Sequence, residues 1–213
     1  MPQQPPIPFQ DYERIYRIIW SLLNTAGVQA EAASAFFSIV GAAILQESHQ
    51  LAAYPVAGAA AYAFDAQGEH LVTYGAVAGG YLVAKPDAFH AWVECEGYAI
   101  DFMAPIFADV KKSQGQPGAY PRKMFQRRLD SAVQDGLPGA SAFGSFAVFP
   151  DEARTQEIKD AFSALEMNIE LGALAMAWYQ PSPHPIRQVF EFRDNETGVL
   201  KARLKAPALV GSW

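Results

Sequence analysis

Apolar residues recur at helical spacing in the first quarter of the chain. From Phe9 to Ala26 they alternate with polar residues as an amphipathic helix requires, which predicts a first helix ending at Gly27. The segment Phe36 to Leu45 is apolar nearly all round and contains no proline, which predicts a buried central helix. Ser34 stands just before this segment and is the expected N-cap.

The pattern changes from helical to β-like after the second helix. The short apolar and β-branched runs that predict strands are Tyr54 to Phe64, Leu71 to Tyr74, His90 to Glu94 and Ala99 to Phe102. Strands that follow one another with short connections pair as an antiparallel meander. We therefore expect an α+β fold in which an antiparallel sheet packs on the central buried helix.

The second half of the chain is less regular. Residues 113–144 are rich in Gly, Pro, Ser and Gln and predict a long surface excursion, interrupted by a short helix at Met124 to Leu129. Two further helices are predicted, the first opened by Asp151 and running to about Leu165, the second from Ile169 to Tyr179. Val189 to Phe192 and Val199 to Leu204 predict a last hairpin that turns at Asp194 to Gly198.

Length and composition favour one globular domain. A chain of 213 residues with 51% apolar and 18% charged residues can bury one large core, so residues 1–213 are taken as a single domain with residues 1–8 as an extended N-terminal arm. The net charge of −6 gives no general attraction for nucleic acid or for anionic lipid. Neither is an expected partner.

The sequence has no pattern typical of export or of membrane insertion. Its proline-rich start lacks a basic and then apolar segment, and no run reaches the roughly 18 apolar residues of a membrane helix. Cys95 is the single cysteine, so no internal disulfide can form. We expect a cytoplasmic protein.

The segment from His90 to Phe102 carries the candidate chemistry. If it folds as a hairpin that turns at Glu96-Gly97, paired residue numbers add up to 193, and Trp92 faces Asp101. His90, Trp92 and Asp101 then project from the same face of the sheet. Because a carboxylate can orient an imidazole and stabilise its protonated form, His90 and Asp101 are the predicted catalytic pair, with one ring nitrogen of His90 left facing a cleft. The alternative is a half-buried strand pair without chemistry.

The sequence His-Ala-Trp-Val-Glu, followed by a Gly-containing turn, an apolar residue and Asp101, resembles a known catalytic hairpin. It is similar to the His/Asp hairpin of the papain-like and transglutaminase-like superfamily, including arylamine N-acetyltransferases and lasso-peptide leader peptidases. The resemblance covers about Ser34 to Pro105. The pattern is closest to a bacterial domain family of that superfamily whose function is uncharacterised, with a cysteine-peptidase-like fold.

The resemblance implies a nucleophilic cysteine at the start of the buried helix, and the position expected for it is Ala35. Three explanations stay open: an engineered Cys-to-Ala change, a natural loss, or a nucleophile elsewhere. Cys95 is a poor substitute because it points away from His90. Ser34 and Ser38 flank the expected position, but we interpret them as a helix cap and a packed hydroxyl.

Two functions are consistent with these observations. The first is a thiol hydrolase or acyl transferase that acts on an amide or thioester in a peptide, a protein or a small molecule. The second is an inactive pseudoenzyme that binds a peptide or protein partner in the same cleft. In either case Trp92 and Phe36 are candidate substrate-binding residues.

No cofactor is expected, and no metal site, since four scattered histidines lack zinc-ligand spacing. The glycines at 75, 79 and 80 lack a phosphate-loop ending. A basic group could bind an acidic peptide or a phosphate, although a solvated helix face explains it better; it comprises Arg122, Lys123, Arg127 and Arg128.

Overall fold

The computed structural model describes residues 4–63, 71–113, 115, 121–133, 144–194 and 198–213. Five helices occur in these residues: α1 (Phe9–Thr25), α2 (Ser34–His49), α3 (Phe107–Ser113), α4 (Glu152–Ala164) and α5 (Glu166–Trp178). The strands are β1 (Ala53–Ala63), β2 (Leu71–Tyr74), β3 (Ala76–Ala78), β4 (Tyr81–Val83), β5 (His90–Cys95), β6 (Tyr98–Asp101), β7 (Phe125–Arg128), β8 (Phe146–Pro150), β9 (Val189–Asp194) and β10 (Gly198–Arg203). The fold is α+β.

The first two helices form where their apolar patterns predict them. The apolar stripe of α1 is buried, and Gly27, with φ of 72°, closes the helix in the left-handed conformation that glycine adopts most easily. Helix α2 is buried along most of its length. Its expected cap is wrong, because Ser34 is the first helical residue and no side chain caps the preceding Ala33.

The main sheet is antiparallel and curls around β1. The hydrogen-bonded neighbours are β2 and β1, β1 and β5, β5 and β6, and β6 and β7, and β8 pairs with the edge of β1 opposite β2 and β5. Strands β5 and β2 lie end to end along one edge of β1, since Gly58 pairs with His90 and Ala60 pairs with Tyr74. This arrangement puts the start of β5 beside the end of β2.

The two faces of the sheet have different partners. Helix α2 covers the face that carries Ala53 and Phe102, as the amide of Gln46 donates to the Ala53 carbonyl and Gly41 packs against the Phe102 ring. The opposite face is lined by aromatic rings, among them Tyr62, Phe125 and Phe146. Successive side chains of a strand point to opposite faces, so each strand contributes to both layers.

Two sequence predictions are corrected in the middle of the chain. Residues 125–128 form strand β7 and not part of a helix, because they pair with β6 from Tyr98↔Arg128 to Asp101↔Phe125. The segment 113–144 is therefore only in part a surface excursion, and Phe125 is buried. The N-terminal arm is also anchored: Ile7 is buried and exchanges two hydrogen bonds with the amide side chain of Gln126.

The second half of the chain completes the shell around the sheet. Helix α4 begins after Asp151, as predicted, and lies against β1 beyond the end of β8. Strands β9 and β10 pair with each other over the predicted hairpin, although the turn residues 195–197 lie outside the described part. None of the helices described is both long and apolar enough to cross a membrane.

Candidate functional site

The hairpin of β5 and β6 has the register that the sequence predicts. Val93 pairs with Ile100 and Cys95 with Tyr98, so paired numbers add up to 193. The turn residues Glu96 and Gly97 have φ of 50° and 77°, which is the left-handed pair that a tight two-residue hairpin requires. Trp92 and Asp101 consequently share a face with His90.

His90 and Asp101 form a buried hydrogen-bonded pair. The Nε2 atom of His90 lies 2.7 Å from Oδ2 of Asp101, and the exposed fractions of the two side chains are 0% and 1%. The second carboxylate oxygen, Oδ1, accepts a hydrogen bond of 2.9 Å from the backbone N–H of Met103. Both oxygens of Asp101 are thus engaged, and the carboxylate holds the imidazole in one orientation.

Aromatic rings enclose His90 on its other sides. The Tyr74 ring stacks on the imidazole with centroids 4.3 Å apart, and Tyr62 meets it edge-on at 5.8 Å. The Phe107 ring lies at 5.6 Å. The Nδ1 atom is buried and has no hydrogen-bond partner among the described residues. The prediction that this nitrogen faces an open cleft is therefore wrong.

Ala35 lies on the opposite face of the sheet from the His90 ring. It packs against a small cluster that contains Ala57, Ala91 and Ile158. Ala91 follows His90 directly in β5, and neighbouring side chains of a strand point in opposite directions. The expected approach of residue 35 to the imidazole is therefore not found.

An apolar groove opens where Ala35 is located. It has a volume of about 440 Å³ and lies between the start of α2, the residue Phe89 and the α4–α5 corner. Its apolar lining includes Phe36, Ile158, Phe162 and Leu165. Gln29 and Asn168 are the polar members, and none of the described lining residues has an ionisable side chain. The groove can bind apolar groups but supplies no acid, base or nucleophile.

The two predicted substrate-binding residues are in different places. Phe36 lines the groove beside Ala35, and its ring packs at 5.6 Å from that of Phe162. Trp92 is buried on the His90 face, where its indole N–H donates to Glu94 at 3.3 Å. Only Phe36 is therefore positioned to contact a molecule in the groove.

The three alternative nucleophiles, Cys95, Ser34 and Ser38, have the positions of structural residues. Cys95 is buried on the face opposite His90, and burial, with a smaller effect of Glu96, raises the pKa of its thiol to about 11. The Ser38 hydroxyl donates to the Ala35 carbonyl at 3.0 Å, as expected of a packed helix hydroxyl. Ser34 makes no capping hydrogen bond.

Two of the four residues in the basic group form ion pairs, and none of the four lies on a helix. Arg122 forms a bidentate pair with Asp109, at 2.7 and 2.8 Å, and this contact raises the pKa of the guanidinium. Arg128 pairs with Asp130 on the surface. Within the described residues, no group of three or more His, Cys, Asp or Glu side chains could hold a metal ion.

Sequence reasoning missed most of the groove. Phe89 precedes β5, Phe162 belongs to α4, and Leu165 and Met167 are at the α4–α5 corner. The exposed fractions of Leu165 and Met167, two residues apart, are 55% and 49%, and together they form an exposed apolar patch. No local pattern shows that these segments converge, but apolar residues at a break between two helices are a signal for a surface site.

Fold and site together define an α+β protein with a curled antiparallel sheet, a buried His–Asp pair inside it and an apolar groove outside it. Residues 8–213 match the model of a family described as a protein of unknown function, DUF2026, and the chain belongs to this family. A solved crystal structure described as that of genomics APC5867 is similar, with 31% identity and a TM-score of 0.84 over 99% of this chain and 98% of that one. No curated protein matches.

Proposed function

We propose that this chain is a binding module that accepts an apolar segment of a partner polypeptide in the groove at the start of α2. The observation that carries the proposal is the position of Ala35 in a groove whose described lining has no ionisable side chain. His90 is on the other face of the sheet and has no exposed surface. On this proposal the chain has the framework of a papain-like or transglutaminase-like enzyme, but it binds its partner without a chemical reaction.

The surroundings of the groove favour a polypeptide over a small enclosed ligand. Leu165 and Met167 at its border and the neighbouring Ile169 are each about half exposed, with fractions of 55%, 49% and 51%. They extend the apolar surface beyond the groove itself, as an interface of several side chains requires. Methionine also adapts its shape to different apolar partners.

A binding experiment tests this function. Fluorescein-labelled peptides of equal length, either rich in Leu and Phe or rich in Ser and Gln, are titrated with the protein while anisotropy is measured. We expect saturable binding of the apolar peptides only. Ala35→Trp fills the groove and Met167→Asp adds a charge at its border, and each should weaken binding at least tenfold, since about 1.4 kcal/mol corresponds to that factor.

Val77→Asp is the matched control, because Val77 is 73% exposed on strand β3 and does not line the groove. This variant should bind the apolar peptides like the unchanged protein. Equal affinity of both peptide classes, or equal loss in Val77→Asp and Met167→Asp, would contradict a specific groove.

A thiol hydrolase is the second candidate, and the 2.7 Å contact between His90 and Asp101 is the observation that favours it. The variant Ala35→Cys separates the two functions by its alkylation with iodoacetamide. In a hydrolase the new thiol would be largely thiolate near pH 6 because His90 would accept its proton. In a binding module the reactivity of the thiol should depend on the start of α2 and on the apolar groove, and not on His90.

His90→Gln in the Ala35→Cys background gives the second readout. Since residue 35 and the imidazole lie on opposite faces, the pH profile of alkylation should not move. Rapid alkylation at pH 6 that is lost with His90→Gln would favour the hydrolase. Cys95 serves as an internal reference because its buried thiol, with a pKa of about 11, should react slowly.

A further inference from the structure

Three buried polar atoms on the His90 face have no hydrogen-bond partner among the described residues. They are Nδ1 of His90 and the hydroxyl oxygens of Tyr62 and Tyr74. The exposed fractions of His90 and Tyr62 are 0% and 2%, so bulk water does not reach these side chains. The Tyr62 hydroxyl lies near Asp101 but makes no hydrogen bond of adequate geometry with it.

The three side chains belong to one cluster. Tyr74 stacks on His90 at 4.3 Å between centroids, and Tyr62 lies 5.8 Å from His90 and 6.5 Å from Tyr74. Phe107 closes the cluster, with its ring 5.0 Å from Tyr62 and 5.5 Å from Tyr74. The three rings therefore pack together, and each carries a buried polar atom without a partner among the described residues.

Such atoms are rarely left without a partner in a folded protein. Burying a donor or acceptor without a hydrogen bond costs free energy, and the costs of three such atoms add up. Where side chains cannot supply the partner, an ordered water with two to four polar neighbours usually does. The cluster contains three polar atoms that need such a partner.

The chemistry of the cluster defines the ligand. The Nε2 atom of His90 is hydrogen-bonded to Asp101, so Nδ1 has to find its own partner. Nδ1 accepts a hydrogen bond in the neutral imidazole and donates one in the protonated form, and a water molecule can satisfy either state. Burial, with a further contribution from the charge of Asp101, raises the pKa of Tyr62 and of Tyr74 well above the usual range. Both hydroxyls therefore stay protonated and neutral, which disfavours a metal ion held by phenolates.

We propose that Nδ1 of His90 and the hydroxyls of Tyr62 and Tyr74 bind an ordered water molecule inside the curled sheet. The water forms one hydrogen bond with Nδ1 and exchanges hydrogen bonds with the hydroxyls. This internal site is independent of the groove and lies on the other face of the sheet. It makes the His90–Asp101 pair part of a closed polar network.

Removing a hydroxyl gives opposite signs with and without the water. If the water is bound, Tyr74→Phe removes one of its hydrogen bonds, and the midpoint of urea unfolding should fall. If the hydroxyl has no partner at all, the same change removes an unsatisfied group, and the midpoint should rise. Tyr62→Phe is expected to act in the same direction as Tyr74→Phe.

Tyr12→Phe is the matched control for a buried hydroxyl with a known partner. The Tyr12 hydroxyl donates to the backbone carbonyl of Asp101, so this variant should lower the midpoint in either case. It calibrates the loss of one satisfied hydrogen bond in the same region of the core.

A high-resolution crystal structure of the unmodified protein decides the question even if a variant does not fold. The expected result is a density peak of water size within hydrogen-bond distance of His90 Nδ1 and at least one of the two hydroxyls. A peak with anomalous scattering of a metal, a side chain from another part of the chain at Nδ1, or no peak at this position would each overturn the proposal.

Discussion

Each oxygen of the Asp101 carboxylate accepts one hydrogen bond, one from a side chain and the other from the backbone. His90 occupies Oδ2 and the Met103 N–H occupies Oδ1, so an almost fully buried carboxylate loses its contact with water but not its hydrogen bonds. A buried hydrogen-bonded pair that contains a charged group often adds little net stability compared with apolar residues of the same size. Breaking it by removing one partner is costly, because the other partner remains buried and unpaired.

Asp101→Ala should therefore lower the free energy of unfolding by about 3–5 kcal/mol, measured by urea denaturation. Asp101→Asn should cost less, because the amide oxygen can still accept from the Met103 N–H. The control is Asp130→Ala, which removes a surface carboxylate paired with Arg128 at 63% exposure and should cost far less, because solvent screens an exposed pair. Equal losses for Asp101→Ala and Asp130→Ala would contradict the buried network.

At the scale of the elements, helix α4 covers an edge of β1 that no described strand pairs with. Strand β8 ends opposite Gly58, and the polar groups of Ala57 are satisfied from the start of α4. The Thr155 hydroxyl accepts from the Ala57 N–H at 2.9 Å, and the Asp151 N–H donates to the Ala57 carbonyl at 2.8 Å. A helix end therefore completes the sheet, which protects an edge that could otherwise pair with another chain.

The cap of α4 is the test at this scale. The Asp151 carboxylate accepts a hydrogen bond of 3.0 Å from the Arg154 N–H, so Asp151→Ala should lower the free energy of unfolding by about 0.5–2 kcal/mol in urea denaturation. Asp160→Ala in the same helix removes the same charge but no cap, and should have a smaller effect. If Asp160→Ala costs as much as Asp151→Ala, the cap is not the cause.

At the scale of the whole molecule, His49 links the end of α2 to the end of α5. Its Nε2 atom lies 2.6 Å from the Tyr179 hydroxyl, and the side chain is partly buried between the two helices. Desolvation lowers the pKa of His49 from its usual 6.5, and the charge of Asp11 opposes this only in part. The folded protein therefore binds a proton at His49 less readily than the unfolded chain does.

The sign of the pH dependence follows from this difference. As the pH falls below about 6.5, the unfolded chain gains a proton at His49 first, so stability decreases until the folded protein also becomes protonated. His49→Gln can keep a hydrogen bond to Tyr179 but cannot titrate. Urea unfolding of both proteins between pH 8 and pH 5 should show a smaller loss in the variant, and parallel curves would contradict the role of His49.

Local patterns determined the elements whose stability depends on near neighbours in the sequence. The apolar spacing of α1 and α2, the Glu96-Gly97 turn and the 193 register of the β5–β6 hairpin all involve residues a few positions apart. Since side chains alternate strictly along a strand, this register was enough to predict that His90 meets Asp101. The prediction failed at residues 125–128, where pairing with β6 makes a strand of residues that the sequence places in a helix.

Only the tertiary structure decided on which face of the sheet α2 packs. The order of helix, strand and hairpin is the same for both choices, yet the packing of Ala35 against the face of Ala91 separates it from the His90 ring. The groove is also a tertiary feature, because Phe36, Phe89 and Leu165 come from distant parts of the chain. Periodicity within a segment shows which residues are buried, but the partner of each buried face depends on how all the segments fill the core together.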